Sequence, residues 1–297
     1  MKMSSWSPAR IAIVFLTLVF SWSPGLDVSG QSQPGKGNPP SALVAKQILA
    51  DPGALHQRLK ARNPDYNGNA QFAQDQALGL VGDFTGSRIS DLSPLAGVPF
   101  NALDLRGQPI SDLRPLKGMP LTLLGIEDTQ VADLTPLTGM KLQKLYLNNA
   151  PLSDVRSLAG MPLKELMLAG TKVKDLMSLK GSPVQSLWLN NTPMRDISPI
   201  AGCRLISLTL EGTKVVDLKP LAKMTSLKRL NIAEAPVADL TPLKHLKLER
   251  LVFTPGNIMK GLDIVRNMKS LKEVGTMLDT LMPPEEFWLR YDGKKGK

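Results

Sequence analysis

The chain repeats itself every 21 residues, and that beat limits the fold more than any other feature. Apolar pairs separated by one residue fall at Leu103/Leu105, Leu124/Ile126, Leu145/Leu147, Leu166/Leu168, Leu187/Leu189, Leu208/Leu210, Leu230/Ile232 and Leu251/Phe253, with a single step of 22 residues. A second marker keeps the same spacing: Asp91, Asp112, Asp133, Asp154, Asp175, Asp196, Asp217 and Asp239, each followed by Leu, Val or Ile. Between the two sit Thr129, Thr171, Thr192 and Thr213, and then an apolar residue such as Val131, Val173, Met194 or Val215.

A period of 20 to 29 residues with this consensus is the leucine-rich-repeat pattern, in which each copy adds one coil to a solenoid. The expected fold is an α/β leucine-rich-repeat solenoid, with a parallel β-sheet on the concave face, 3-10 or turn segments on the convex face, and terminal caps. In a short strand alternate side chains face opposite ways, so Leu166 and Leu168 point inward while Glu165, Met167 and Ala169 point out. The recurring Asp has the short acceptor side chain wanted at the start of a helical turn. Pro follows three residues later at Pro94, Pro115, Pro136 and Pro242, where its missing N–H costs nothing. Gly97, Gly118, Gly139, Gly160 and Gly181 then close the turn.

The segment DLTPLTGM from Asp133 to Met140 resembles the convex side of the short bacterial repeats of the internalin type. The resemblance covers roughly residues 85 to 253, taken here as an array of about eight repeats. It implies a binding protein whose concave sheet meets a protein or peptide.

The flanking segments differ from the array. Lys2 and Arg10 precede the apolar run from Ile11 to Phe20, and small residues follow up to Gly30, so residues 1–30 read as a secretory signal. The run is about half the ~20 residues that span a bilayer, so no transmembrane segment is expected once the signal is removed. Residues 31–41 are Pro-, Gly- and polar-rich and read as a disordered linker. Residues 42–84 read as an amino-terminal cap: a helix capped by Ser41 with Leu43, Ile48 and Leu49 on one face, a second short helix over 53–61, and a tight turn at Asn67-Gly68. Residues 254–297 read as the opposite cap, with a helix around Ile258 to Asn267, a degenerate last coil, and a final helix opening at Pro283-Pro284 and carrying Phe287, Trp288 and Tyr291.

No motif for catalysis, phosphate binding or metal binding occurs, and the Asp marker lacks the several oxygen ligands per turn that calcium requires. Neither an enzyme nor a cofactor is expected. The two histidines, His56 and His245, have no orienting partner in the sequence, and the single cysteine, Cys203, occupies an apolar repeat position.

Binding residues are sought on the outward strand columns, which the core does not dictate. The middle column reads Asp104, Gly125, Tyr146, Met167, Trp188, Thr209, Asn231 and Val252, so three large side chains stand on consecutive strands. Their neighbours Lys144, Asn148 and Asn190 offer polar handles. Such a run suits a partner-binding patch; it equally suits side chains that pack only on each other. Charge is uneven as well. Excluding the signal, 13 Lys and Arg face 12 Asp and Glu before Gly170, against 21 and 13 from Gly170 onward, and Arg229 and Arg250 sit on neighbouring strands. The basic half suits an anionic envelope polymer as an alternative partner. Nucleic acid is not expected. The sequence thus describes an exported monomer, secreted or held in the periplasm or cell envelope.

Overall fold

A computed structural model describes residues 40–295, and the signal and most of the linker expected from the sequence lie outside it. The chain opens with two helices, α1 (Pro40–Ala50) and α2 (Pro52–Arg62), followed by a hairpin of β1 (Gln71–Asp75) and β2 (Gly79–Asp83). One three-residue strand per coil follows: β3 (Ala102–Asp104), β4 (Leu123–Gly125), β5 (Lys144–Tyr146), β6 (Glu165–Met167), β7 (Ser186–Trp188), β8 (Ser207–Thr209), β9 (Arg229–Asn231), β10 (Arg250–Val252) and β11 (Glu273–Gly275). A five-residue helix α3 (Leu262–Arg266) lies between β10 and β11, and α4 (Pro284–Lys295) ends the described chain. The eleven strands form one sheet in sequence order. Only the β1–β2 pair is antiparallel; from β2 onward every pairing is parallel and in register.

The leucines at the centre of the repeat strands and in the convex turns belong to one continuous core that runs from Ile48 to Trp288. Four buried threonines border it, each donating its hydroxyl to the carbonyl three residues earlier: Thr129 to Ile126, Thr171 to Leu168, Thr192 to Leu189 and Thr213 to Leu210, at 2.6 to 2.8 Å. The Asp column does what its spacing predicts. All eight carboxylates accept the backbone N–H two residues on, at 2.7 to 2.9 Å, and open a 3-10 turn.

Convex closure takes two forms. In the first five coils the residue before the glycine has ψ between 119° and 130°, and Gly97, Gly118, Gly139, Gly160 and Gly181 have φ of 72° to 79°. This is a type II turn, which needs a residue free to adopt positive φ at its third position. In the next three, Ala201, Ala222 and Lys244 are right-handed with ψ of −26° to −37°. A type I turn has no such requirement, so Lys223 and His245 stand where glycine stood before.

The 22-residue coil absorbs its extra residue just after this closure. Val98 and Met119 accept from the amide two residues on, whereas Met224 accepts from Leu227 three residues on at 3.0 Å. Ser226 donates back to Leu205 O at 2.7 Å, and Ser270 repeats the arrangement on Leu248 O in the last coil.

The ends depart from the sequence reading in detail. Helix α1 starts at Pro40, one residue ahead of the expected cap, and Leu43 is exposed while Ile48 is buried. The β1–β2 hairpin had no repeat signal to announce it. The helix expected over 258–267 shrinks to Leu262–Arg266, because residues 258–260 are bonded to the preceding coil. Met259 N and Lys260 N donate to Ala238 O, and Leu240 N donates to Lys260 O. Gly261 then passes so close to that coil that a Cβ would lie 2.7 Å from Thr241 N. Beyond it, Phe287 and Trp288 from α4 close over Phe253, with ring centroids 5.9 and 6.4 Å away.

Candidate functional site

The sheet face away from the core carries a second, smaller apolar cluster. Val81, Ala102, Leu123, Tyr146 and Met167 are buried in it, with Leu78 and Trp188 packed at its margin. Parallel registration sets Tyr146 beside Met167 and Met167 beside Trp188, so the expected column exists as a strip across the concave sheet. Its exposure differs from the expectation: Tyr146 and Met167 are only 6% and 8% exposed, and Trp188 alone of the three is partly exposed. Curvature brings neighbouring strands' side chains together, and each large residue covers the next.

The polar neighbours are largely committed to one another. The buried Glu165 accepts from Tyr146 Oη at 2.9 Å and pairs with Lys144 Nζ at 2.9 Å. Burial, with Glu165 beside it, pushes the Tyr146 phenol well above its usual range, so it remains a donor. Asn148 accepts from Ala169 N at 3.0 Å and points its amide at Met167 Sδ, 3.6 Å away. Asn190 and Asn231 both donate to Glu211 Oε2, at 3.0 and 2.7 Å, and Thr209 donates to Asn190. Lys144, Asn148 and Asn190 therefore hold the floor of the sheet in place and are not free handles.

At the amino-terminal end, Arg106 pairs with the fully buried Asp104 and lies 3.9 Å from Glu127. Glu127 folds over Gly125, where a Cβ would be 3.1 Å from its Oε2. That oxygen is buried and accepts no hydrogen bond among the described residues. Burial raises the carboxyl to about 7 against the pull of Arg106. Sequence reasoning missed this pair, although its spacing placed Arg106 and Glu127 on one outward column of adjacent strands.

At the carboxyl-terminal end the two arginines are unlike. Arg250 pairs with Glu273 at 2.6 Å, whereas Arg229 forms no ion pair among the described residues, and its Nε is buried without an acceptor. Burial and the neighbouring Arg250 together lower its pKa. The lysines of the basic half, Lys172, Lys174, Lys214, Lys219 and Lys223, are all exposed on turns outside the sheet.

Among the described residues no group of three or more His, Cys, Asp and Glu is placed to hold a metal ion, and no helix is long and apolar enough to cross a membrane. His56 is tied to Tyr66 Oη at 2.6 Å, and Cys203 is buried with its thiol on Leu179 O. A cavity of about 360 Å³ opens beside the amino-terminal cap between Asn63, Arg88 and Gln108. The side-chain Oδ1 of Asn63 is already used, accepting from Ser90 N and Asp91 N at 2.8 Å.

Sheet, convex turns and capped ends together define a leucine-rich-repeat solenoid of the short, internalin-like type, a fold built as an extended concave interaction surface. Solved structures agree. An internalin, inlF, from Listeria monocytogenes aligns with a TM-score of 0.58 and 25% identity, over 63% of this chain and 58% of its own length. Internalin C2 from the same organism aligns with a TM-score of 0.58 and 21% identity, over 71% of this chain and 96% of its own. A leucine-rich-repeat protein of Leptospira interrogans follows at 0.50 and 18%, over 64% of this chain and 58% of its own. No protein-family model matches the chain, and no curated protein matches it.

Proposed function

We propose that this chain is an exported, non-enzymatic binding protein that takes a protein or peptide segment on its concave sheet. The observation that carries the reading is the apolar strip from Val81 to Trp188 on the face opposite the core. A solenoid coil needs no such strip for its own stability, since its leucines are already buried on the other side. Trp188 is the anchor, because it alone of the three large residues is partly exposed on a packed floor, and well-packed aromatics dominate interface energies. Tyr146 and Met167 support it from beneath.

The test is capture of partners from envelope extracts by the wild type and by Trp188→Ala with Tyr146→Ala, each checked by circular dichroism. Loss of the captured partner from the variant, with the fold intact, is expected. Equal capture by both proteins would remove the concave sheet from consideration. Export rests on the charged and apolar pattern of residues 2–30, and amino-terminal sequencing of the mature protein is expected to begin near Gln31.

A second reading is favoured by the five exposed turn lysines, which give the carboxyl half an open basic edge. In it the protein adheres to anionic envelope polymer. Such binding weakens steeply as salt rises, whereas a contact through Trp188 changes little.

A further inference from the structure

We infer that Arg229 and Ser207 form a carboxylate-binding subsite on the concave sheet, beyond Trp188 toward the carboxyl end, which selects acidic peptide segments. The inference rests on the concave sheet being the binding face and assigns the chemistry of one end of it.

Ser207 and Arg229 are register partners on β8 and β9. They occupy the same outward column as Ala102 and Leu123, which lie in the concave cluster. Ser207 is 2% exposed, and its Oγ makes no hydrogen bond among the described residues. Arg229 Nε is likewise buried and unpartnered. Two adjacent buried donors without acceptors are costly to leave unmet. A guanidinium beside a hydroxyl offers the planar, forked donor set that a carboxylate matches.

Neighbouring acids do not supply the missing charge. Glu273 is taken by Arg250. Glu249 is shared by Lys272 at 2.7 Å and Lys228 at 3.6 Å. Glu211 accepts from two asparagines. Arg229 thus keeps its positive charge on a surface where Lys144, Arg106 and Arg250 are each neutralised.

The geometry also sets a spacing. Trp188 lies two strands and two residues away from Arg229, on the order of 12 Å at ~4.8 Å per strand and ~3.3 Å per residue. An extended peptide turns alternate side chains to one face and covers ~13 Å in four residues, so an apolar side chain on Trp188 and a carboxylate on Arg229 belong four positions apart.

The probes are acetyl-Leu-Ala-Ala-Ala-Glu-amide, its Gln counterpart, and inorganic phosphate, titrated into the labelled chain. The readouts are the Arg229 Nε–H and Trp188 indole N–H resonances. The Glu peptide is expected to shift both and to bind about tenfold more tightly than the Gln peptide, the scale of a charged hydrogen bond. Arg229→Gln should abolish that preference, Arg229→Lys should keep part of it, and Ser207→Ala should weaken Glu-peptide binding severalfold, all without a lowered thermal melt. Equal binding of the two peptides would overturn the subsite while leaving a shifted Trp188 as support for the concave face. A Glu preference that survives Arg229→Gln would overturn it too. So would a saturable Arg229 shift with phosphate and none with the Glu peptide. Silence of both resonances with all three probes sinks the subsite alone, since the concave reading stands or falls on the capture experiment.

Discussion

At Thr192 the solenoid shows how a single polar atom becomes obligatory. Its hydroxyl is buried and donates to Leu189 O at 2.7 Å, so Thr192→Val keeps the shape and leaves that carbonyl with only the longer bond from Thr192 N at 3.2 Å; a loss of about 1 kcal/mol in urea unfolding is expected. Glycine gives a paired test. Gly139 has φ of 78°, so Gly139→Ala should cost roughly 1 kcal/mol, whereas Gly202→Ala should be close to neutral, because Gly202 lies in a type I closure with open space where a Cβ would go. Glu127 adds a pH dependence. Its carboxyl rises from 4.5 to about 7 on folding, so the folded state holds the proton more tightly than the unfolded one. That contribution is fully present below pH 4.5 and is lost as pH rises through about 7. Glu127→Gln removes the loss, and by linkage its stability relative to wild type should improve by up to about 3 kcal/mol between pH 4 and pH 8, read from urea melts. The Thr and Gly columns were legible in the sequence, because a repeated residue type reveals a repeated environment. Glu127 was not, since its shift depends on burial over Gly125 and on a partner from another coil, neither of which repeats.

Among elements, the eight Asp-capped turns behave as copies of one device. Asp133→Ala and Asp217→Ala should each cost about 1 kcal/mol, and the double variant should cost their sum within a few tenths, since three coils lie between them and they share no partner. The caps are the opposite case, each made once. Phe287 and Trp288 cover Phe253 and are themselves 6% and 7% exposed, so Phe287→Ala is expected to lower stability by about 3 kcal/mol and to open the last coil, seen as faster amide exchange in β10 and β11 first. The aromatic spacing of α4 was readable from its helical period. The short α3 and the β1–β2 hairpin were not: residues 258–260 are held by backbone bonds to Ala238 and Leu240, a tertiary demand that overrides local propensity, and the hairpin has no second copy to compare with.

For the whole molecule, each coil touches chiefly its two neighbours, so stability is shared along a line. Native-state amide exchange should be slowest in β5 to β8, which have coils on both sides, and a monomer is expected by sedimentation. The concave face, proposed above as the binding face, is the part the repeat says least about. Leu-x-Leu spacing located the concave columns and named Tyr146, Met167 and Trp188, but which of them is covered, and which charge is left over, follows from contacts between coils. The change of convex closure after Gly181 has a consequence for how such a chain varies in length. Five turns depend on a glycine at one fixed place, while the three that follow do not, and the extra residue of the 22-residue coil sits directly behind the second of those, at Thr225-Ser226. The carboxyl half of the convex edge is therefore where an added loop, an epitope or a whole further coil enters without disturbing the sheet.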